Sequence, residues 1–137
     1  MKKVLIIDGQ GGRIGKLLAE KLAGADDAEL TVVGTNSAAT SAMMKSGVSR
    51  GATGENPVVV LSKDADVIAG PIGIVMADSM LGEITPKMAS AVASSSAEKV
   101  LIPVAKCQTH IAGARDISLS ALIDDAAAKI LEILKNA

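Results

Sequence analysis

The chain has 137 residues, a formal net charge of −1, one cysteine and no Phe, Tyr or Trp. This length predicts one domain, residues 1–137, with a core large enough to fold alone and no room for a separate catalytic domain. The interspersed charges exclude the broad basic field that attracts a nucleic-acid backbone, the missing aromatics exclude base-stacking platforms, and no apolar run reaches the roughly 20 residues that cross a bilayer.

"MKK" reads as a charged lead into the buried strand "KVLII" and not as a signal peptide. With Cys107 alone, no intramolecular disulfide is possible, which suits a reducing, cytoplasmic setting. After Gly12 the spacing turns helical, with Ile14, Leu17, Leu18 and Leu22 on one stripe and Gly24 as a stop. "ELTVVGTN" supplies a second strand, and "SAATSAMMK" a short helix that Ser37 can cap and Gly47 can end. This β-α-β-α opening favours a parallel sheet covered by helices, and the expected fold is α/β, a Rossmann-like three-layer sandwich with a mostly parallel sheet.

"SRGATGENP" reads as a glycine-rich loop, with the β-branched run "VVVL" after it. "ADVIAGP" is the next strand, ended by Pro71. "IGIVMADSMLG" reads as a short apolar helix ending at Gly82, its first half equally compatible with a strand. Thr85 before Pro86 marks a helix start, with Met88, Ala89, Val92 and Ala93 as its buried face. "KVLIPVA" is a strand that Pro103 places at an edge or bend, and Leu119 to Leu134 carry the apolar side of a final helix.

The segment with the clearest functional signal is "GQGGRIG". Gly9 suits a tight turn, Gly11 or Gly12 the close approach of an anion, and Gly15 the close packing of helix on sheet. Unpaired N–H groups of the first helical turn attract a phosphate, and Arg13 adds a charged fork. The loop is not a Walker loop, because Leu17 stands at the hydroxyl position. Gly9 to Gly15, with Gln10 and Ile14 between, are therefore the expected contacts to a phosphorylated small molecule, first of all a dinucleotide, with a purely structural turn as the alternative. NAD sites usually end the second strand in a carboxylate; this chain has Gly34, Thr35 and Asn36 there, which favours NADP over NAD and equally suits a mononucleotide or sugar phosphate. Thr35, Asn36, Ser37 and Arg50 are its expected donors, although Asn36 and Ser37 equally suit a helix cap.

Further candidates lie in later loops. Arg50, Thr53, Gly54, Glu55 and Asn56 form a donor-rich cluster that can close over a ligand, with Glu55 the first choice for an acid or base; Gly70, Pro71 and Gly73 shape a rigid loop after a strand. Asp78 and Glu83 could act as a carboxylate pair or bind a cation such as magnesium, although capping and exposure explain both more simply. Cys107 and His110 could pair as nucleophile and base, but the spacing demands no such use and they lack the further ligands a zinc site needs, so a buried cysteine and a polar loop histidine are the simpler reading and no metal is expected. Met76, Met80 and Met88 suit either a core or a homodimer or higher homo-oligomer interface.

The glycine loop resembles that of dihydrodipicolinate reductases, whose similar motif binds a nicotinamide dinucleotide; Gly9, Gly12, Arg13 and Gly15 stand at the matching places. Over nearly its whole length the chain resembles a family of small bacterial Rossmann-like proteins with no established activity, through "DGQGGRIG", "GTNS", "RGATGEN", "GPIGI" and "LGEITP". That resemblance implies the fold and a shared use of these loops. It names no reaction and leaves open an NADP- or NAD-binding protein, a small phosphosugar-processing enzyme, and a non-enzymatic ligand sensor or oligomeric scaffold.

Overall fold

The structure, a computed structural model, describes residues 1–104 and 109–136. Among the described residues, five strands alternate with helices: β1 (Lys2–Asp8), α1 (Arg13–Leu22), β2 (Ala28–Gly34), α2 (Ser37–Met44), β3 (Arg50–Thr53), α3 (Glu55–Ser62), β4 (Val67–Pro71), α4 (Pro86–Ser94), β5 (Glu98–Ile102) and α5 (Leu119–Lys135). The strands form one sheet in the order β3-β2-β1-β4-β5, and every pairing is parallel. This is the mostly parallel, Rossmann-like α/β architecture expected.

Alternation along the central strands divides the core in two. Val4 and Ile6 of β1 with Val67 and Ala69 of β4 meet Leu18, Leu22, Met43, Ile123 and Ile130 on one face. Leu5, Ile7 and Ile68 meet Val58, Ile74, Met88 and Val92 on the other. Burial on both faces is why these strands read as continuous apolar runs and not as an apolar–polar alternation. Pro71 ends β4, while Pro103 follows β5 at the sheet edge, where a missing N–H costs no ladder bond.

Three segments differ from expectation. The "SRGATGENP" loop is instead β3, a short edge strand, followed by the start of α3. The "VVVL" run lies inside α3: Glu55 stands in the first turn, Pro57 falls where an N–H would be unpaired anyway, and Val58 is wholly buried. Packing against α4 overrides the strand preference of the valines. In "IGIVMADSMLG" only Ile72–Val75 is helical, as a single 3-10 turn; beyond it the chain forms successive turns. Asp78, Met80 and Leu81 take left-handed backbone angles there (φ 65, 56 and 57°), which no continuing helix permits.

Cap chemistry is otherwise as the residue types require. Asn36, and not Ser37, caps α2 by accepting the Ala39 N–H at 2.9 Å; Thr85 caps α4 by accepting that of Met88 at 3.1 Å. Ala93 is exposed, so the buried face of α4 is Met88, Ala89 and Val92. Met88 belongs to the core, which removes it from the interface candidates.

Candidate functional site

β1 and β4 are neighbours in the sheet, yet the chain leaves β1 toward α1 and β2 and leaves β4 toward α4 and β5. Their following loops diverge, and a crevice opens at the carboxyl ends, where such folds place ligands. A cleft of about 510 Å³ lies there, lined by Asp8 to Ile14 from the glycine loop, by Pro71, Ile72, Gly73, Met76, Ser79, Met80 and Leu81 after β4, and by Val104, Thr109, Ile111 and Leu119 beyond β5. Its walls are mainly aliphatic and thioether. Arg13 stands exposed at its rim and makes no ion pair among the described residues.

The glycine loop is held by its own chain. The buried Asp8 carboxylate accepts the Gly9 N–H at 2.7 Å through Oδ1 and the Gly15 N–H at 2.8 Å through Oδ2. Burial pushes this carboxyl above its usual range, more than the N–H groups of Gly15, Gly9 and Ile14 pull it down. Glu83 Oε1 accepts the Gln10 N–H at 2.7 Å, the Thr35 hydroxyl at 2.5 Å and the Asn36 amide at 3.0 Å. The Thr35 bond, followed by that of Gln10, holds Glu83 below the ordinary carboxylate range. Gly12 N–H donates to the Gly9 carbonyl at 2.8 Å.

Three of the glycines are needed for contacts within the chain, among them Gly15, whose Cβ would meet the Met43 thioether and Asp8 Cβ. A Cβ on Gly9 would meet Met80 Sδ at 2.6 Å and Thr35 Oγ1 at 2.8 Å, because the Met80–Glu83 segment crosses directly over it. A Cβ on Gly12 would meet the Ala39 carbonyl oxygen at 2.7 Å, and φ there is 71°. Gly11, by contrast, is exposed at the loop tip and its Cβ would meet nothing within 4 Å.

The remaining candidates scatter. Arg50 lies at the start of β3, paired with Glu29 at 3.0 Å and bonded to Thr31 at 3.1 Å. Thr53 bonds Thr40 at 2.7 Å, Gly54 N–H donates to the Gly34 carbonyl at 2.9 Å, Glu55 accepts the Thr85 hydroxyl at 2.6 Å, and Asn56 and Ser37 are exposed. Gly70 is buried within β4 against Ile7 of β1, so of the Gly70–Gly73 cluster it is Pro71 and Gly73 that line the cleft. Asp78 and Glu83 form no pair: the Asp78 N–H donates to Ile84, while Glu83 faces Thr35 and Asn36. His110 is exposed, and Cys107 lies outside the described residues. Among the described residues no three His, Cys, Asp or Glu side chains gather as a metal site. The sequence reading missed Asp8 and Glu83 as partners of the loop. The first had a signal, a charge closing a buried strand; the second, 73 residues from Gln10, had none.

The chain belongs to a family described as a domain of unknown function, DUF3842, whose model matches residues 3–135. No curated protein matches it. Among solved structures it is similar to a dodecameric FMN-dependent UbiX-like decarboxylase from Escherichia coli O157:H7, at 16% identity and a TM-score of 0.49, over 97% of this chain and 76% of that one. The expectation of a dinucleotide, NADP ahead of NAD, is corrected by the hydrogen bonds that the chain's own carboxylates make to the loop. The physical reason lies in the loop. A pyrophosphate would meet the Asp8 carboxylate on the N–H groups it needs, and an adenosine ribose would meet Glu83 on Thr35 and Asn36. The residues present do not fit that group.

Proposed function

We propose that this domain, residues 1–137, binds a ring-bearing small molecule of flavin size in the cleft between the glycine loop and the segment after β4. The observation that carries the reading is the cleft itself. Its volume of about 510 Å³ falls within the roughly 300–1,000 Å³ of small-molecule sites, and it stands at the switch point of a parallel sheet. Ile72, Met76, Met80 and Ile111 offer aliphatic and sulfur surface to a planar ring, and thioether sulfur packs favourably on aromatic edges. Gly9, Gln10, Gly11, Gly12, Arg13, Ile14, Pro71 and Gly73 are the candidate residues that line this cleft. Arg13 supplies the positive charge for a ligand's acidic group at the rim.

Flavins are the first ligands to test, since riboflavin and FMN share a ring and differ by one phosphate. The chain has no Trp or Tyr, so flavin fluorescence can be followed against a dark protein background. Both should bind, FMN about fivefold more tightly at low salt, and Arg13→Ala should abolish the difference without abolishing binding. Absence of binding by either flavin at millimolar concentration would overturn the reading.

A binding module without chemistry satisfies the same geometry. We further propose self-association in a cytoplasmic setting. Leu81 is 95% exposed beside the cleft, a placement that suits contact with a second copy. No helix among the described residues is long and apolar enough to cross a membrane.

A further inference from the structure

Three donors from two parts of the chain converge on one oxygen of Glu83. The Gln10 N–H comes from the glycine loop, the Thr35 hydroxyl from the end of β2, and the Asn36 amide from the cap of α2, at 2.7, 2.5 and 3.0 Å. Convergent uncharged donors of this kind are how proteins hold an anion. The segment that delivers Glu83 does so at a conformational cost: Asp78, Met80 and Leu81 are all left-handed, and for Met80 and Leu81 that backbone is disfavoured. Asn36 also donates to the Gln10 carbonyl at 3.0 Å, fixing the far side of the same hole. None of Glu83, Thr35 and Asn36 lines the cleft, so the hole is a separate site that adjoins the cleft at Gly9 and Gln10, with Met80 between them.

We propose that Glu83 is a specificity-determining residue: its carboxylate fills, from within the chain, an anion hole built by Gln10, Thr35 and Asn36, and so denies the β2 side of the glycine loop to any phosphate or carboxylate of a ligand. The end of β2 is where a dinucleotide's adenosine ribose is received in this class of fold. Here that ground is held by the chain itself, and a ligand is confined to the side of β4 and β5. The inference holds whatever the cleft binds, and its test contains no cleft ligand.

The test compares the melting of wild type, Glu83→Ala and Glu83→Gln in sodium formate and in sodium chloride at equal ionic strength, followed by far-ultraviolet circular dichroism. Formate replaces the missing carboxylate, so it should raise the melting temperature of Glu83→Ala by about 4 °C at ten times its dissociation constant. Wild type and Glu83→Gln, whose holes are filled, should melt alike in both salts. A folded Glu83→Ala that melts identically in the two salts would overturn the proposal, and so would equal stabilisation of wild type. Should Glu83→Ala be unfolded in chloride, recovery of its helical signal in formate supports the hole, and failure to recover while Glu83→Gln folds counts against it.

Discussion

A methyl group on Gly12 would press on the Ala39 carbonyl and force an L residue to a φ of 71°, whereas one on Gly11 would project into open space. Gly12→Ala should therefore lose about 2 kcal/mol or more in urea denaturation, and Gly11→Ala should be neutral or gain up to about 1 kcal/mol by restricting the unfolded chain. A ligand-binding defect in a Gly12 variant would thus report loop packing as much as ligand contact. Glu83 gives a separate residue-scale expectation. Its carboxyl sits below its ordinary value of 4.5, so the stability it contributes is present above that pH and is lost as pH falls through the lower folded value. Melting temperatures of wild type and Glu83→Gln should diverge most at neutral pH and converge in acid; a difference unchanged across that range would remove the charge from the explanation. Asp8 runs the other way, since burial raises its pKa and the folded state loses stability as pH rises from 3.8 toward the raised value.

At the scale of elements, α4 and the Met76–Glu83 segment are the parts whose behaviour follows most directly from local geometry. Thr85 both caps α4 and donates to Glu55, tying the starts of α3 and α4 together, so Thr85→Val should cost about 1–2 kcal/mol by thermal denaturation. Leu81 combines a left-handed backbone with a 95% exposed side chain, and Leu81→Gly should leave stability unchanged or raise it by up to about 1 kcal/mol. A marked loss would show that the side chain is covered by a partner. Most elements were legible because their signals are local: the runs of β1, β2 and β4, the stripes of α1 and α5, and the Thr85–Pro86 cap. β3 was not, because all four of its residues lie at the sheet edge with little burial and hence no apolar pattern. α3 was hidden by its valines, whose helical state is imposed by packing on α4 and not by propensity.

Across the whole molecule, a sheet sealed on both faces by aliphatic side chains leaves its carboxyl edge as the place where function can be built. Ile6 is fully buried at the centre of β1, and Ile6→Ala should cost about 2–5 kcal/mol, enough to threaten a fold of this size. The position of the cleft was legible from the succession of strand, glycine loop and helix; its chemistry was not. The glycine spacing that suggests a phosphate cradle serves here to let Met80, Glu83 and α2 lie against the loop, and the carboxylates that occupy its donors come from the strand end and from 73 residues away. The most direct measurement is a titration of isotopically labelled protein with FMN and, separately, with NADP, followed by backbone amide chemical shifts. FMN is expected to move the resonances of Gly11, Gly73, Met76 and Met80 while leaving Thr35 and Asn36 in place, and NADP to move neither set. Shifts centred on Thr35 and Asn36, or no shifts with FMN at millimolar concentration, would contradict the assignment of the cleft.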